Sequence, residues 1–172
     1  MAQPRVHLQH GFGPFVRPDS RVLILGSFPS VKSREAQFYY GHPQNRFWAL
    51  LAALCGEEKP LSRTDKEVLL ERHRIALYDV IDSCTIVGSS DSSIDDVIVT
   101  DLMPLLQGSE IGTRIFTNGA KAHQLYMKYT FPALGLPAVK LPSTSPANAA
   151  FSLDRLQEEW RRLLPDLSID PR

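Results

Sequence analysis

Residues 21–30 read RVLILGSFPS. Val22 to Leu25 form an unbroken apolar run with no polar alternation, ended by small and turn-forming residues. That pattern predicts a strand buried on both faces and stopped by a tight loop. Such strands belong to parallel sheets between helix layers, so helices and strands should alternate along the rest of the chain. From Asn45 onward, Phe47, Leu50, Leu51 and Leu54 recur at helical spacing, and Gly56 supplies a C-terminal stop. Thr64 and Glu67 have the spacing of a capping box before KEVLLERHR, and RIALYDVI (74–81) reads as a second buried strand. A polar loop, SCTIVGSSDSSI, follows, and residues 96–107 suit a short helix interrupted or started near Pro104. TRIFTNG (113–119) predicts a third strand with AKAHQLYMKY as the helix leaving it, and PAVKL (137–141) a fourth. The chain then runs through PSTSPANAAF into SLDRLQEEWRRLL, where Leu153, Leu156, Trp160 and Leu163 form one apolar stripe. The expected fold is therefore α/β: a three-layer sandwich with a mostly parallel central sheet of about four strands and helices on both faces.

Composition bounds the function. A chain of 172 residues, 43 % hydrophobic and 22 % charged, suits a single globular domain, here residues 1–172 with 1–20 as an N-terminal segment and 165–172 as a tail. The 19 basic residues balance the 19 acidic ones, so a polyanion would have to be met by a local patch rather than a global field. Two cysteines, Cys55 and Cys84, are too few for a disulfide framework, an iron–sulfur cluster or a four-thiolate zinc site. No cofactor and no metal are expected. The first residues lack a basic segment followed by an apolar one, and no run approaches the roughly 20 apolar residues of a membrane span. The expectation is a cytoplasmic monomer without a membrane partner.

Parallel sheets bind ligands beyond the carboxyl ends of their strands, so the loops there carry the functional reading. They are GSFPS with its continuation through HPQN, DVIDSCTIVGSSDSS, TNGA and LPSTSPAN. Hydroxyls, amides and rings dominate them, with Asp79, Asp82 and Asp91 as exceptions. This argues against metal hydrolysis, paired-carboxylate glycosidase chemistry and Schiff-base chemistry. The segment FYYGHPQNRFW (38–48) packs five aromatic rings, an imidazole, a guanidinium and two carboxamides together, as a site for a flat polar heterocycle would. Plainer readings stand beside these. Asn45 precedes a helix and is a preferred N-cap type, Phe47, Trp48 and Trp160 read as core, His42 before Pro43 as a structural loop residue, and Asp79 as a group bonding nearby backbone.

GSFPS after a buried strand, YYGHPQNRFW opening a helix and LPSTSPANAAFSLDRL near the end resemble the uracil-DNA glycosylase superfamily, most closely its hypoxanthine-DNA glycosylase branch. The likeness runs from about Arg21 to Leu164, with HPQNRFW its most specific motif. In the mismatch-specific uracil branch the first motif looks like Gly-Ile-Asn-Pro-Gly, its asparagine holding the attacking water. Here Phe28 stands in that place, and Ser143-Thr144-Ser145 replaces an Asn- or His-led triplet. The resemblance implies that Asn45 takes the catalytic part and that the partner is DNA carrying deaminated bases.

The chemistry gives each residue a task. Releasing a base from deoxyribose passes through an oxocarbenium-like sugar and an anionic leaving base, after the nucleotide has left the stack. Asn45 would hold a water through its amide oxygen. Tyr40, or less favourably Tyr39, would stack on the base, with Gly26, Ser27 and Phe28 donating backbone N–H groups and His42 and Asn118 as further base contacts. Ser143, Thr144 and Ser145 would bond phosphate without added charge, and Lys32, Arg34, Lys121 and Lys140 would supply the local basic patch. Without a lysine in the matched motifs, the activity should be monofunctional. Three functions remain open: a glycosylase for hypoxanthine, one for uracil or another damaged pyrimidine, and a nucleotide-binding module without catalysis.

Overall fold

The computed structural model describes residues 4–87 and 94–167. Val22–Gly26 (β2) pairs in parallel with Ile75–Asp79 (β3) on one side and Ile115–Asn118 (β6) on the other, and Val139–Leu141 (β7) pairs in parallel outside β6. All five residues of β2 are buried, as an inner strand covered on both faces requires. Alternation along the strands divides the core in two. Ile24, Leu77 and Phe116 are cross-strand partners and share one face with Phe47, Leu50 and Leu51 of the helix Phe47–Cys55 (α2) and with Leu156 and Trp160 of the helix Leu153–Trp160 (α7). Leu23, Leu25, Ala76 and Ile115 point the other way, toward Leu105 of Met103–Gln107 (α4) and Leu125 of Ala120–Leu125 (α5). Trp160 is fully buried with its indole N–H donated to Pro142 O at 2.8 Å, so truncating it would cost about 3–5 kcal/mol.

A second sheet departs from expectation. Val6–Gln9 (β1) and Asp95–Val99 (β5) flank Ile81–Ile86 (β4) in antiparallel pairing. The run RIALYDVI is thus not one strand: it leaves the parallel sheet after Asp79, and Ile81 begins a strand of the other sheet. The supposed polar loop contributes Ser83–Ile86 to β4, where Ser83, Cys84 and Ile86 are buried. Residues 95–99 form a strand, and the helix starts with Pro104 in its first turn. The N-terminal segment holds β1, whose exposed polar face concealed the strand. Residues 88–93 of the GSSDSS stretch, Asp91 among them, lie outside the described residues.

The helix Arg63–Arg72 (α3) is capped two residues earlier than Thr64 and Glu67 predict. Ser62 Oγ accepts from Asp65 N at 3.0 Å and Asp65 accepts in return from Ser62 N, while Glu67 pairs with Arg63. Both spacings fit a capping box, and the chain used the earlier one. A short helix Val31–Ala36 (α1), capped by Ser30, interrupts what reads as loop. Phe131–Leu134 (α6) follows a π-helical turn after α5. Leu156 and Trp160 of α7 and Leu163 of the 3-10 turn after it are buried, but Leu153 at the first turn of α7 is 36 % exposed and lies outside the stripe.

Candidate active site

Two residues beyond the partners Ile24, Leu77 and Phe116, on the same face, come Gly26, Asp79 and Asn118 at the carboxyl ends of β2, β3 and β6. These three make the floor of a cavity of about 470 Å³, a size suited to a small ligand. Gly26 is required there: a β-carbon on it would stand 2.4 Å from Asp79 Oδ1 and 3.4 Å from Tyr40 Oη. The loop Ser27 to Ser30 forms one wall and Ser143 to Ala147 another. Serine hydroxyls bind the first wall to the aromatic segment. Ser30 Oγ accepts from Ser33 N at 3.2 Å, and Ser33 Oγ accepts from Gly41 N at 2.9 Å.

That bond helps hold Tyr40 at φ 52°, a left-handed conformation costly for a residue with a β-carbon. One face of its ring stacks on Phe47, with centroids 4.0 Å apart and planes 22° apart. The hydroxyl descends to the floor and has no hydrogen-bond partner among the described residues. Burial first, and then the Asp79 carboxylate, push its pKa upward, against a smaller pull from the Asn118 amide. Tyr39 also lines the cavity, but its hydroxyl is used elsewhere, donated to Gly13 O.

Asn45 stands above the floor, one residue before the half-helical Arg46. Its Oδ1 accepts from Phe47 N at 2.9 Å and from Thr144 Oγ1 at 2.8 Å. Thr144 is in turn fixed by Asn118, whose Oδ1 accepts from Thr144 N and whose Nδ2 donates to Thr144 Oγ1, both at 3.0 Å. The two asparagines are thus joined through one hydroxyl. Two donors occupy the lone pairs of the Asn45 oxygen, so holding a water through that oxygen does not fit; the amino end remains for a ligand. Asn45 also does the capping work by bonding Phe47 N.

The sequence puts Thr144 on a DNA-contacting surface, and the structure corrects this. Thr144 is completely buried, and its hydroxyl is used between the asparagines. Ser143 and Ser145 remain half-buried on the cavity wall, where Ser143 Oγ accepts from Ser145 N and Ser145 Oγ from Ala147 N. This loop comes close because Gly119, at φ 103°, has room for Ser143 against it: an added β-carbon would sit 3.0 Å from Ser143 Cβ. It is held from the other side by Arg46. The Arg46 guanidinium donates to the carbonyls of Ser145 at 2.9 Å, Asn148 at 3.1 Å and Phe151, and its backbone N–H to Thr144 O at 3.1 Å. No signal in the sequence alone paired Arg46 with residues a hundred positions away.

His42 lines the cavity, and its Nδ1 accepts from Gln44 N at 3.1 Å, which gives the loop reading a physical basis. Ser27 and Phe28 line it too. Lys32, Arg34, Lys121 and Lys140 are not among the lining residues. Lys32 pairs with Glu35 at 3.6 Å, and the Arg34 guanidinium lies 5.9 Å from the centre of the Phe28 ring. Two buried residues absent from the predicted site complete it: Asp79, 4 % exposed, stands at its floor, and His10, 3 % exposed and behind the lining, donates from Nε2 to Asp79 Oδ2 at 2.7 Å.

The family model of the Uracil DNA glycosylase superfamily matches residues 14–168. The chain belongs to this superfamily. Two curated relatives, both called hypoxanthine DNA glycosylase, are 34 % identical over 154 residues (Methanosarcina acetivorans; 89 % of this chain, 96 % of the relative) and 30 % identical over 153 (Methanosarcina barkeri; 88 % and 95 %). A protein of Methanosarcina acetivorans solved in solution by NMR, provisionally designated a uracil DNA glycosylase, superposes with a TM-score of 0.72 at 32 % identity, covering 92 % of this chain and 99 % of that one. The superfamily's activity is that of a DNA glycosylase, with DNA as substrate. No helix among the described residues is long and apolar enough to cross a membrane.

Proposed function

We propose that this chain hydrolyses the N-glycosidic bond of deaminated bases in DNA, chiefly hypoxanthine, by flipping the nucleotide into the cavity and attacking the sugar with water. The observation that carries the reading is the cavity at the carboxyl ends of β2, β3 and β6, walled by Tyr40 and by the Asn45–Thr144–Asn118 chain. A base entering it meets the free face of Tyr40, where stacking is worth about 1–3 kcal/mol. Asn118 at the floor and the backbone of Gly26, Ser27 and Phe28 then meet its polar edge, with His42 at the wall. Asn45, immobilised by two donors to its oxygen, presents its amino group to the water and contributes position rather than basicity. Ser143, Ser145 and Lys121 are assigned to the DNA backbone. The two relatives called hypoxanthine DNA glycosylase support the choice of base.

A second reading, uracil as substrate, draws on the superfamily itself and on the N–H beside a carbonyl that uracil shares with hypoxanthine. For the hydrolytic step, an end-labelled oligonucleotide with one hypoxanthine is incubated with the protein. The proposal expects strand breaks only after alkali, because water attack leaves an intact abasic site. Breaks before alkali, with a borohydride-trapped protein–DNA adduct, would contradict it.

A further inference from the structure

The Asp79 carboxylate is buried at the floor of a cavity where the reaction has no stated use for it. Its Oδ2 takes the N–H of His10 at 2.7 Å, and its Oδ1 stands against Gly26 Cα, in the space a β-carbon would fill. The residue is on the cavity surface although only 4 % exposed. Beside it lies the Tyr40 hydroxyl, buried and without a hydrogen-bond partner among the described residues, which independently marks a place for a ligand's polar atom. Asn118, on the other side of Gly26, has spent one amino hydrogen on Thr144 and retains a second.

We propose that Asp79 is a specificity-determining residue that accepts the ring N–H of a lactam base, N1–H in hypoxanthine, while Asn118 donates to the adjoining carbonyl. This rests on the glycosylase reading above and names the base edge the floor reads. A carboxylate that is ionised can only accept, so a base with an unprotonated nitrogen at that position, adenine or cytosine, leaves two acceptors opposed in a buried site. Guanine has the same ring N–H; the three-bond pair that resists its extrusion keeps it out. The carboxylate also opposes the negative charge gathering on the departing base. That places Asp79 in recognition rather than in rate enhancement. His10 keeps the geometry: a carboxylate has no hydrogen to give, so Nε2 is the donor, Oδ2 is consumed, and Oδ1 is left for the ligand.

The same constraint makes Asp79→Asn informative. To satisfy His10 Nε2–H the new amide must turn its oxygen there, which faces its NH2 into the cavity. A donor then meets N1–H of hypoxanthine but suits N1 of adenine. Single-turnover excision is measured on single-stranded oligonucleotides carrying hypoxanthine or adenine, with circular dichroism to establish folding. The preference for hypoxanthine over adenine should fall by about 10²-fold or more. A folded variant in which both rates fall in parallel, or neither falls, would overturn the assignment, since structural support or water activation would move both alike. A measurement on the wild type needs no variant: 1-methylhypoxanthine, which lacks the N1 hydrogen, should not be released, and release at the hypoxanthine rate would overturn the proposal. Failure of the wild type to release hypoxanthine itself would instead overturn the functional reading on which it rests.

Discussion

At the scale of single residues, the site is organised by hydrogens already assigned before any ligand arrives. Asn45, Thr144 and Asn118 share their donors and acceptors so completely that each orientation follows from the next. Asn45→Ala should lower single-turnover excision by about 10²-fold or more with DNA binding retained, because it removes positioning and leaves stacking intact. The lost bond to Phe47 N should cost about 0.5–2 kcal/mol, so urea denaturation is measured alongside. A folded variant with the wild-type rate would remove Asn45 from the mechanism. Thr144→Val removes the linking hydroxyl, leaving Asn118 Nδ2 without its partner and Asn45 Oδ1 with Phe47 N alone, at about 1–3 kcal/mol with reduced excision. Thr144→Ser should restore most of both, and equal losses for Ser and Val would place the effect in packing. Asn45 was singled out in the sequence by the resemblance that HPQNRFW carries, and its position before a helix pointed only to capping. The orientation of its amide was not legible, because it depends on a hydroxyl 99 positions away.

At the scale of elements, long apolar runs were readable and the joints between them were not. β2, α2, β6 and β7 lie where periodicity placed them. RIALYDVI hid the passage from one sheet to the other because both strands are buried and no turn residue separates them. Asp79 fell within a loop read as ligand-facing but was taken as a group bonding nearby backbone, because its partner His10 lies 69 positions away in a segment where no strand was read. Two caps compete for α3 in the sequence, and they can be separated. Ser62→Ala should destabilise the protein by about 1 kcal/mol, while Thr64→Ala should stay within about 0.5 kcal/mol. The reverse order in urea denaturation would restore the predicted box. Arg46 belongs to this scale as well, because it ties the start of α2 to the loop before α7. Arg46→Ala should speed amide hydrogen exchange across residues 144–151 and reduce excision, through loop carbonyls that lose a charged donor worth about 1.5–3 kcal/mol per bond. Unchanged exchange there would show that the loop holds itself.

At the scale of the whole molecule, a parallel sheet brings the ends of three strands to one place, and the small second sheet delivers His10 beneath it. Four phenols of the molecule are pushed up in pKa by burial. Tyr39 and Tyr40 have pKa values raised by burial and by Asp79, Tyr78 by burial and by Asp82 and Asp79, and Tyr126 is pushed up to about 12 by burial. Unfolded tyrosines ionise near pH 10, so the unfolded chain releases its protons first and stability is lost as pH rises past about 10. Denaturation midpoints should fall between about pH 8 and about pH 11, and Tyr40→Phe should lessen the fall; a flat profile would contradict the burial of these groups. The claim that the cavity receives a deaminated purine is tested most directly by single-turnover release of the free base from matched oligonucleotides carrying hypoxanthine or uracil. The account predicts rapid release of hypoxanthine, slowed about 10²-fold or more in folded Asn45→Ala. Rapid release of uracil with no release of hypoxanthine would contradict it.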